Sequence, residues 1–196
     1  MATAVQTIRL EHFNISSVLF SLRYLIEQIE QGRWEPDFTL FSVILEYMER
    51  FPEVLHHPKE EDYLFKAMQR RKPELADLLG LVHDEHVKGA RMLRDLRDAL
   101  GAYEANPRGF EAFKERALAY IEFERRHMAR EERELLPLAL ELLQDEDWQE
   151  IDAAFAANDD PLFGAARRKE FDRLTQHILN LAPTPLGFRE RRAAAS

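Results

Sequence analysis

The chain has 196 residues, 45% of them hydrophobic and 32% charged, with no cysteine and a formal net charge of −9. That length fits one domain able to bury a core. The missing cysteines exclude disulfides, thiolate metal sites and cysteine nucleophiles, and the acidic balance argues against a phosphate-backbone binder. No apolar run reaches the ~18 residues of a membrane span, and the first ten residues lack the apolar stretch of a secretory signal. The expectation is a cytoplasmic protein with neither a nucleic-acid nor a membrane partner.

The first segment, about Thr7 to Gln31, carries Ile8, His12, Ile15, Leu19, Leu22, Ile26 and Ile29 at alternating spacings of four and three. That is one face of a helix, and Gly32 is a natural stop. The second segment runs from Pro36-Asp37 to about Arg71. Phe41, Ile44, Met48 and Phe51 line one face, continued by His57, Glu61, Leu64 and Met68. Pro52 and Pro58 interrupt its backbone ladder, which predicts a kink or brief break.

Pro73 suits the start of a third helix, whose inner line is Leu75, Leu79, Val82, His86, Gly89, Leu93, Leu96 and Leu100, with His83 flanking it. Asn106-Pro107-Arg108-Gly109 is a turn. A fourth helix then reaches about Leu143, with Phe113, Ala117, Tyr120, Glu124, His127, Glu131, Leu135, Leu138 and Leu142 inward and a late bend at Pro137. Asp147 caps a short helix to about Ala157, a last helix covers about Ala165 to Leu181, and the end is a tail. The expected fold is therefore all-α: an up-down-up-down four-helix bundle over residues 1–144, two additional C-terminal helices packed on it over 145–182, and a tail over 183–196.

Polar residues on apolar stripes are the anomaly that bears on function. His12 lies on the first helix, His57 and Glu61 on the second, His83 and His86 on the third, and His127 and Glu131 on the fourth. Counted in turns of ~5.4 Å, all seven fall near one layer at one end of an antiparallel bundle. Burying them unpaired would cost several kcal/mol for each isolated charge. A pair of cations resolves the set, with two carboxylates bridging and imidazoles filling other positions. Nitrogen and oxygen donors without sulfur suit iron or manganese, with zinc or copper able to compete.

On the second helix the face shared with Glu61 and Leu64 favours His57 as the ligand and places His56 and Glu60 on another face. Glu124 either orients an imidazole or pairs with an arginine. Glu132 reads as solvated, Tyr47, Tyr63 and Tyr120 as core or boundary aromatics, and His177 as structural or exposed.

Four motifs in order carry a family resemblance. They are His12 in Leu-Glu-His-Phe-Asn-Ile, His56-His57-Pro-Lys-Glu-Glu61, His83-Asp-Glu-His86, and His127-Met-Ala-Arg-Glu-Glu132-Arg-Glu-Leu-Leu-Pro137. Over about residues 7–143 the chain resembles the hemerythrin-like, HHE cation-binding domain family. The resemblance implies a non-haem centre of two iron ions (manganese or zinc as substitutes), bridged by Glu61 and Glu131, with His12, His57, His83, His86 and His127 as terminal ligands. His83 and His86 are three apart where oxygen-carrying members have four, which leaves open whether both ligate. The implied function is binding of O2 or a related small ligand, for carriage, sensing or protection against oxidative or nitrosative stress. A di-iron oxidoreductase acting on peroxide or nitric oxide, and an iron-storage or interaction protein, are the rivals. The chain is expected as a monomer or homodimer.

Overall fold

A computed structural model describes residues 3–156, 160–162, 171, 174, 176 and 177. The expected last helix over 165–181, four of its residues apart, and the tail over 183–196 lie outside the described residues. Among those described the fold is all-helical, with five helices and no strand. No helix among them is long and apolar enough to cross a membrane.

Helix α1 spans Thr3–Glu30. It ends at Gly32, where φ of +65° calls for glycine; the Gly32 and Arg33 N–H groups donate back to the Ile29 and Gln28 carbonyls. Helix α2 covers residues 38–71 and begins on an Asp37 cap that accepts from the Leu40 N–H. It is not broken at its prolines. Instead its winding alternates: α-helical over Phe38–Met48, π-helical over Glu49–His56, α over His57–Lys59, π over Glu60–Phe65 and α over Lys66–Arg71.

Helix α3, Ala76–Ala105, follows a single 3₁₀ turn at Pro73–Leu75. At the next connection Gly109 sits so close to Tyr103 that a Cβ would lie 2.8 Å from its Cα. Helix α4 covers residues 110–142, with a π-helical turn at Glu131–Leu135 between Phe110–Arg130 and Leu136–Leu142. Helix α5 spans Asp145–Ala156.

The wide turns explain why the inner face of α2 differs from the expected one. An α-helix turns ~100° per residue, so a strict four-residue repeat drifts ~40° per step. The buried line of α2 is nonetheless Ile44, Met48, Pro52, His56, Glu60, Leu64 and Met68. The i→i+5 turns absorb the drift. In α4 the same effect brings Leu135, Ala139 and Leu143 inward after Glu131, with the expected Leu138 and Leu142 only partly buried.

Helices α1 and α2, α2 and α3, α3 and α4, and α4 and α1 pack together, and α5 lies on α1. Two apolar clusters result. The larger contains Ile15, Leu22, Phe41, Phe51, Leu96, Phe113 and Tyr120, with Leu162, Phe171 and Leu174 from the C-terminal segment. The smaller contains Ile8, Leu64, Met68, Leu79, Leu135 and Leu136, covered by Ile151 and Phe155 of α5. The polar layer lies between these clusters in the order of the side chains along every long helix. The expected layer at the end of the bundle is therefore corrected to an internal one, with apolar packing beyond it.

Candidate metal centre

Each long helix contributes side chains to the polar layer. His12 comes from α1, His56, His57 and Glu60 from α2, His86 from α3, and His127 and Glu131 from α4; all seven are buried. They form two adjoining groups of potential donors, His12, His56, Glu60 and Glu131 in one, and His57, His86 and His127 in the other.

The two carboxylates stand between the groups. Glu131 Oε2 is 3.3 Å from His12 Nε2, while its Oε1 is 3.5 Å from both His86 Nε2 and His127 Nε2. Glu60 does the same, with Oε1 3.5 Å from His56 Nε2 and Oε2 3.7 Å from His86 Nε2. Each carboxylate thus offers one oxygen to each imidazole group. His12 Nε2 and His56 Nε2 face each other at 3.2 Å, and the His57 and His86 rings stack with centroids 4.0 Å apart.

The outer nitrogens are held by a second set of carboxylates. His12 Nδ1 on α1 pairs with Glu132 on α4 at 3.0 Å, and His127 Nδ1 on α4 with Glu85 on α3 at 3.2 Å. His86 Nδ1 on α3 pairs with Glu61 on α2 at 2.7 Å, and His56 Nδ1 on α2 with Glu11 on α1 at 2.7 Å. These four bonds run once around the four helices. A carboxylate at Nδ1 selects the tautomer that donates there and leaves a lone pair on Nε2, facing inward.

The residue set expected from sequence is reached in part. His12, His57, His86, His127 and Glu131 converge. Glu61 does not join them: it is one third exposed, and its Oε1 accepts from Nδ1 of both His83 and His86. The inward carboxylate of α2 is Glu60, joined by His56, and the cause is the π winding on either side of His57–Lys59. His83 is 55% exposed and joins neither donor group; it meets Glu61 Oε1, the oxygen that also pairs with His86. Glu11, Glu85 and Glu132 were legible only as the acidic neighbours of His12, His86 and Glu131. Glu132, read as solvated, is tied to His12.

Donor chemistry tests whether this layer fits a cation. Both oxygens of Glu60 and of Glu131, with Nε2 of His86 and His127, are buried and have no hydrogen-bond partner. Such groups each cost about 1–3 kcal/mol when left unmade. All six are Lewis bases converging on common points, so cations satisfy them together.

A family model described as the hemerythrin HHE cation binding domain matches residues 3–139. The chain belongs to the hemerythrin HHE family. Comparison with curated proteins and with solved structures finds no match in either.

Electrostatics in this HHE domain show how poorly protons substitute for cations. Burial works against a charge on His12 and His86, but the facing carboxylates outweigh it. Glu131 and Glu132 raise His12 to about 9, and Glu131 and Glu61 raise His86 to about 9. Burial, with His86, His56 and His127 around it, holds His57 well below its ordinary value although it stacks on His86. Burial and the neighbouring Glu131 and Glu11 charges push Glu60 well up. For Glu131 burial acts upward, but His127, His12 and His86 prevail and hold it well below the usual carboxylate range.

Proposed function

We propose that this HHE domain holds two iron ions and binds dioxygen or a related small ligand at them. The observation that carries the reading is the placement of Glu60 and Glu131, each with one oxygen toward each imidazole group. His12, His56, His57, His86 and His127 would be the terminal ligands. Four long helices joined by short connections read as an up-down-up-down bundle around them.

When bound, two ferrous ions supply one-electron chemistry toward dioxygen, peroxide or nitric oxide. The chain's residues do the rest. Glu132, Glu11, Glu61 and Glu85 orient four imidazoles and keep their Nδ1 protons outward. Five ring nitrogens and four carboxylate oxygens do not fill two six-coordinate shells, so positions remain for a small exchangeable ligand. The apolar clusters on both sides exclude bulk water and favour small neutral ligands over large polar ones.

One observation favours a reductive enzyme as the second reading. Glu124 is fully buried, and burial pushes it to about 8. That shift favours its protonated form, one turn from His127. Anaerobic loading with ferrous iron followed by metal analysis and an optical spectrum before and after air tests the first reading. Two ions per chain and an oxygen-dependent band support it; one ion at saturation overturns it. Catalytic loss of peroxide that disappears on chelation would shift the conclusion to the enzyme.

A further inference from the structure

Between α2 and α3 lies a cavity of about 290 Å³, whose polar lining is Glu53, His57, Glu61, Asp62, His83 and His86. Its side chains grade inward: His83 is 55% exposed, Glu61 32%, Glu53 14% and His57 7%. The inner two histidines, His57 and His86, also belong to the three-imidazole donor group. The cavity and the buried centre thus adjoin, with His57 and His86 common to both.

Three of the six lining groups are carboxylates. Asp62 is 59% exposed and its pair with Lys66 at 2.7 Å is open to solvent, so it still presents a carboxylate at the rim. Glu61 faces His83 and His86, and Glu53 lies deeper, where burial disfavours its charge and Arg94 acts on it from α3. Inside, His57 Nδ1 lies 3.7 Å from Glu53 Oε2. That nitrogen and Glu53 Oε1 are buried with no hydrogen-bond partner, and His57 as a whole is only 5% exposed. Nitrogen and oxygen donors at graded depth, ending in an unpartnered imidazole, form a path for a cation rather than for an anion.

We propose that this cavity is the port through which divalent cations reach the centre. Glu61, Asp62 and His83 capture an arriving ion at the rim, and Glu53 and His57 receive it inside. The inference rests on the proposed metal centre. It adds an order of filling: the His57, His86 and His127 group lies next to the port and fills first, and the His12, His56, Glu60 and Glu131 group fills second.

The test is the rate of Co(II) uptake by the full metal-free chain, followed by visible absorption after rapid mixing. His83→Ala with Asp62→Asn alters only exposed rim residues, so folding is preserved and is checked by circular dichroism. The double variant is expected to load about tenfold more slowly, within the range of electrostatic steering, and to reach the same final stoichiometry as wild type. A control, Asp95→Asn with Asp98→Asn, removes more charge at a different cavity, the one beside Arg116, and is expected to load at the wild-type rate. Unchanged loading in the rim variant overturns the port. Equal slowing in the control also overturns it, since bulk charge then accounts for the rate. Wild-type protein that takes up no Co(II) at all overturns the metal centre itself and the port with it, whereas two ions loaded at a rate indifferent to the rim leave the centre standing.

Discussion

His127 Nδ1 on α4 lies 3.2 Å from Glu85 Oε2 on α3, and Arg130 holds the other oxygen of Glu85 at 3.1 Å. The imidazole is thereby fixed by a neighbouring helix rather than by its own. The same holds for His12, His56 and His86. A ring of pairs between helices makes the centre a property of the packed bundle.

Breaking one member should weaken the centre without removing a ligand. Glu85→Gln and Glu132→Gln are expected to lower metal affinity by about 10–100-fold, with two ions per chain still reached at excess metal. Competition with a chelator measures this. Loss of an ion at saturation would show that these carboxylates are themselves ligands.

Helix α2 offers two adjacent candidates of each kind, and the winding separates the carboxylates. Glu60→Ala should lose at least one ion, whereas Glu61→Gln should keep both with reduced affinity. His56→Ala and His57→Ala should each lose metal, because both rings lie within the donor groups. Metal analysis at saturation decides; full retention in Glu60→Ala would contradict the inward face described for α2.

Stability of the metal-free chain should fall as pH rises from about 6.5 to 9. His12 and His86 stand at about 9 when folded, against about 6.5 unfolded. Their raised values contribute stability that is complete below 6.5 and is lost as pH passes through 9. Glu60, pushed up by burial and its acidic neighbours, acts in the same direction. His57 has the opposite sign, but its contribution is already complete above 6.5. Metal-bound imidazoles are neutral as ligands, so the iron-loaded chain should lack this decline. Thermal melts of both forms across that window provide the comparison.

Metal removal should loosen the middle of the long helices more than either flank. Amide exchange is expected to speed up around residues 9–14, 55–62, 84–88 and 125–132. Residues 18–26 and 93–100 should remain protected by the larger apolar cluster, and 64–68 and 135–139 by the smaller one. Exchange that accelerates equally along all four helices would show that neither cluster is self-sufficient.

Asp147 joins α5 to the end of α2. Its Oδ2 accepts from the Gln144 N–H at 3.0 Å and from Arg71 Nε at 2.7 Å. The helix starts two residues earlier than expected, so Asp147 is not its cap but a first-turn residue bonding back to Gln144. Asp147→Ala should cost about 1–3 kcal/mol, as for loss of hydrogen bonds to a charged group, read from urea unfolding. A loss within about 0.5 kcal/mol, the range of ordinary surface changes, would show that Ile151 and Phe155 dock α5 unaided.

Much of this was legible from residue order. The inner lines of α1 and α3 follow the 3.6-residue period throughout, because both are α-helical from end to end, and His12 and His86 lay on those lines. His127 and Glu131 precede or begin the π turn of α4, so their phase was also correct. On α2 the phase slipped by one residue. An i→i+5 turn has no signature in side-chain spacing until the packing selects it, and Pro52 and Pro58 suggested a break instead.

Composition, period and motif order therefore determined a helical chain with nitrogen and oxygen donors on four helices. Those are local properties, set by the spacing of side chains along each backbone. Tertiary structure alone decided that Glu60 faces inward while Glu61 supports His86, that His83 stays outside, and that each outer nitrogen meets a carboxylate from the next helix. Such choices depend on how four helices are wound and rotated against one another, and burial of the apolar clusters on both sides of the layer sets that rotation.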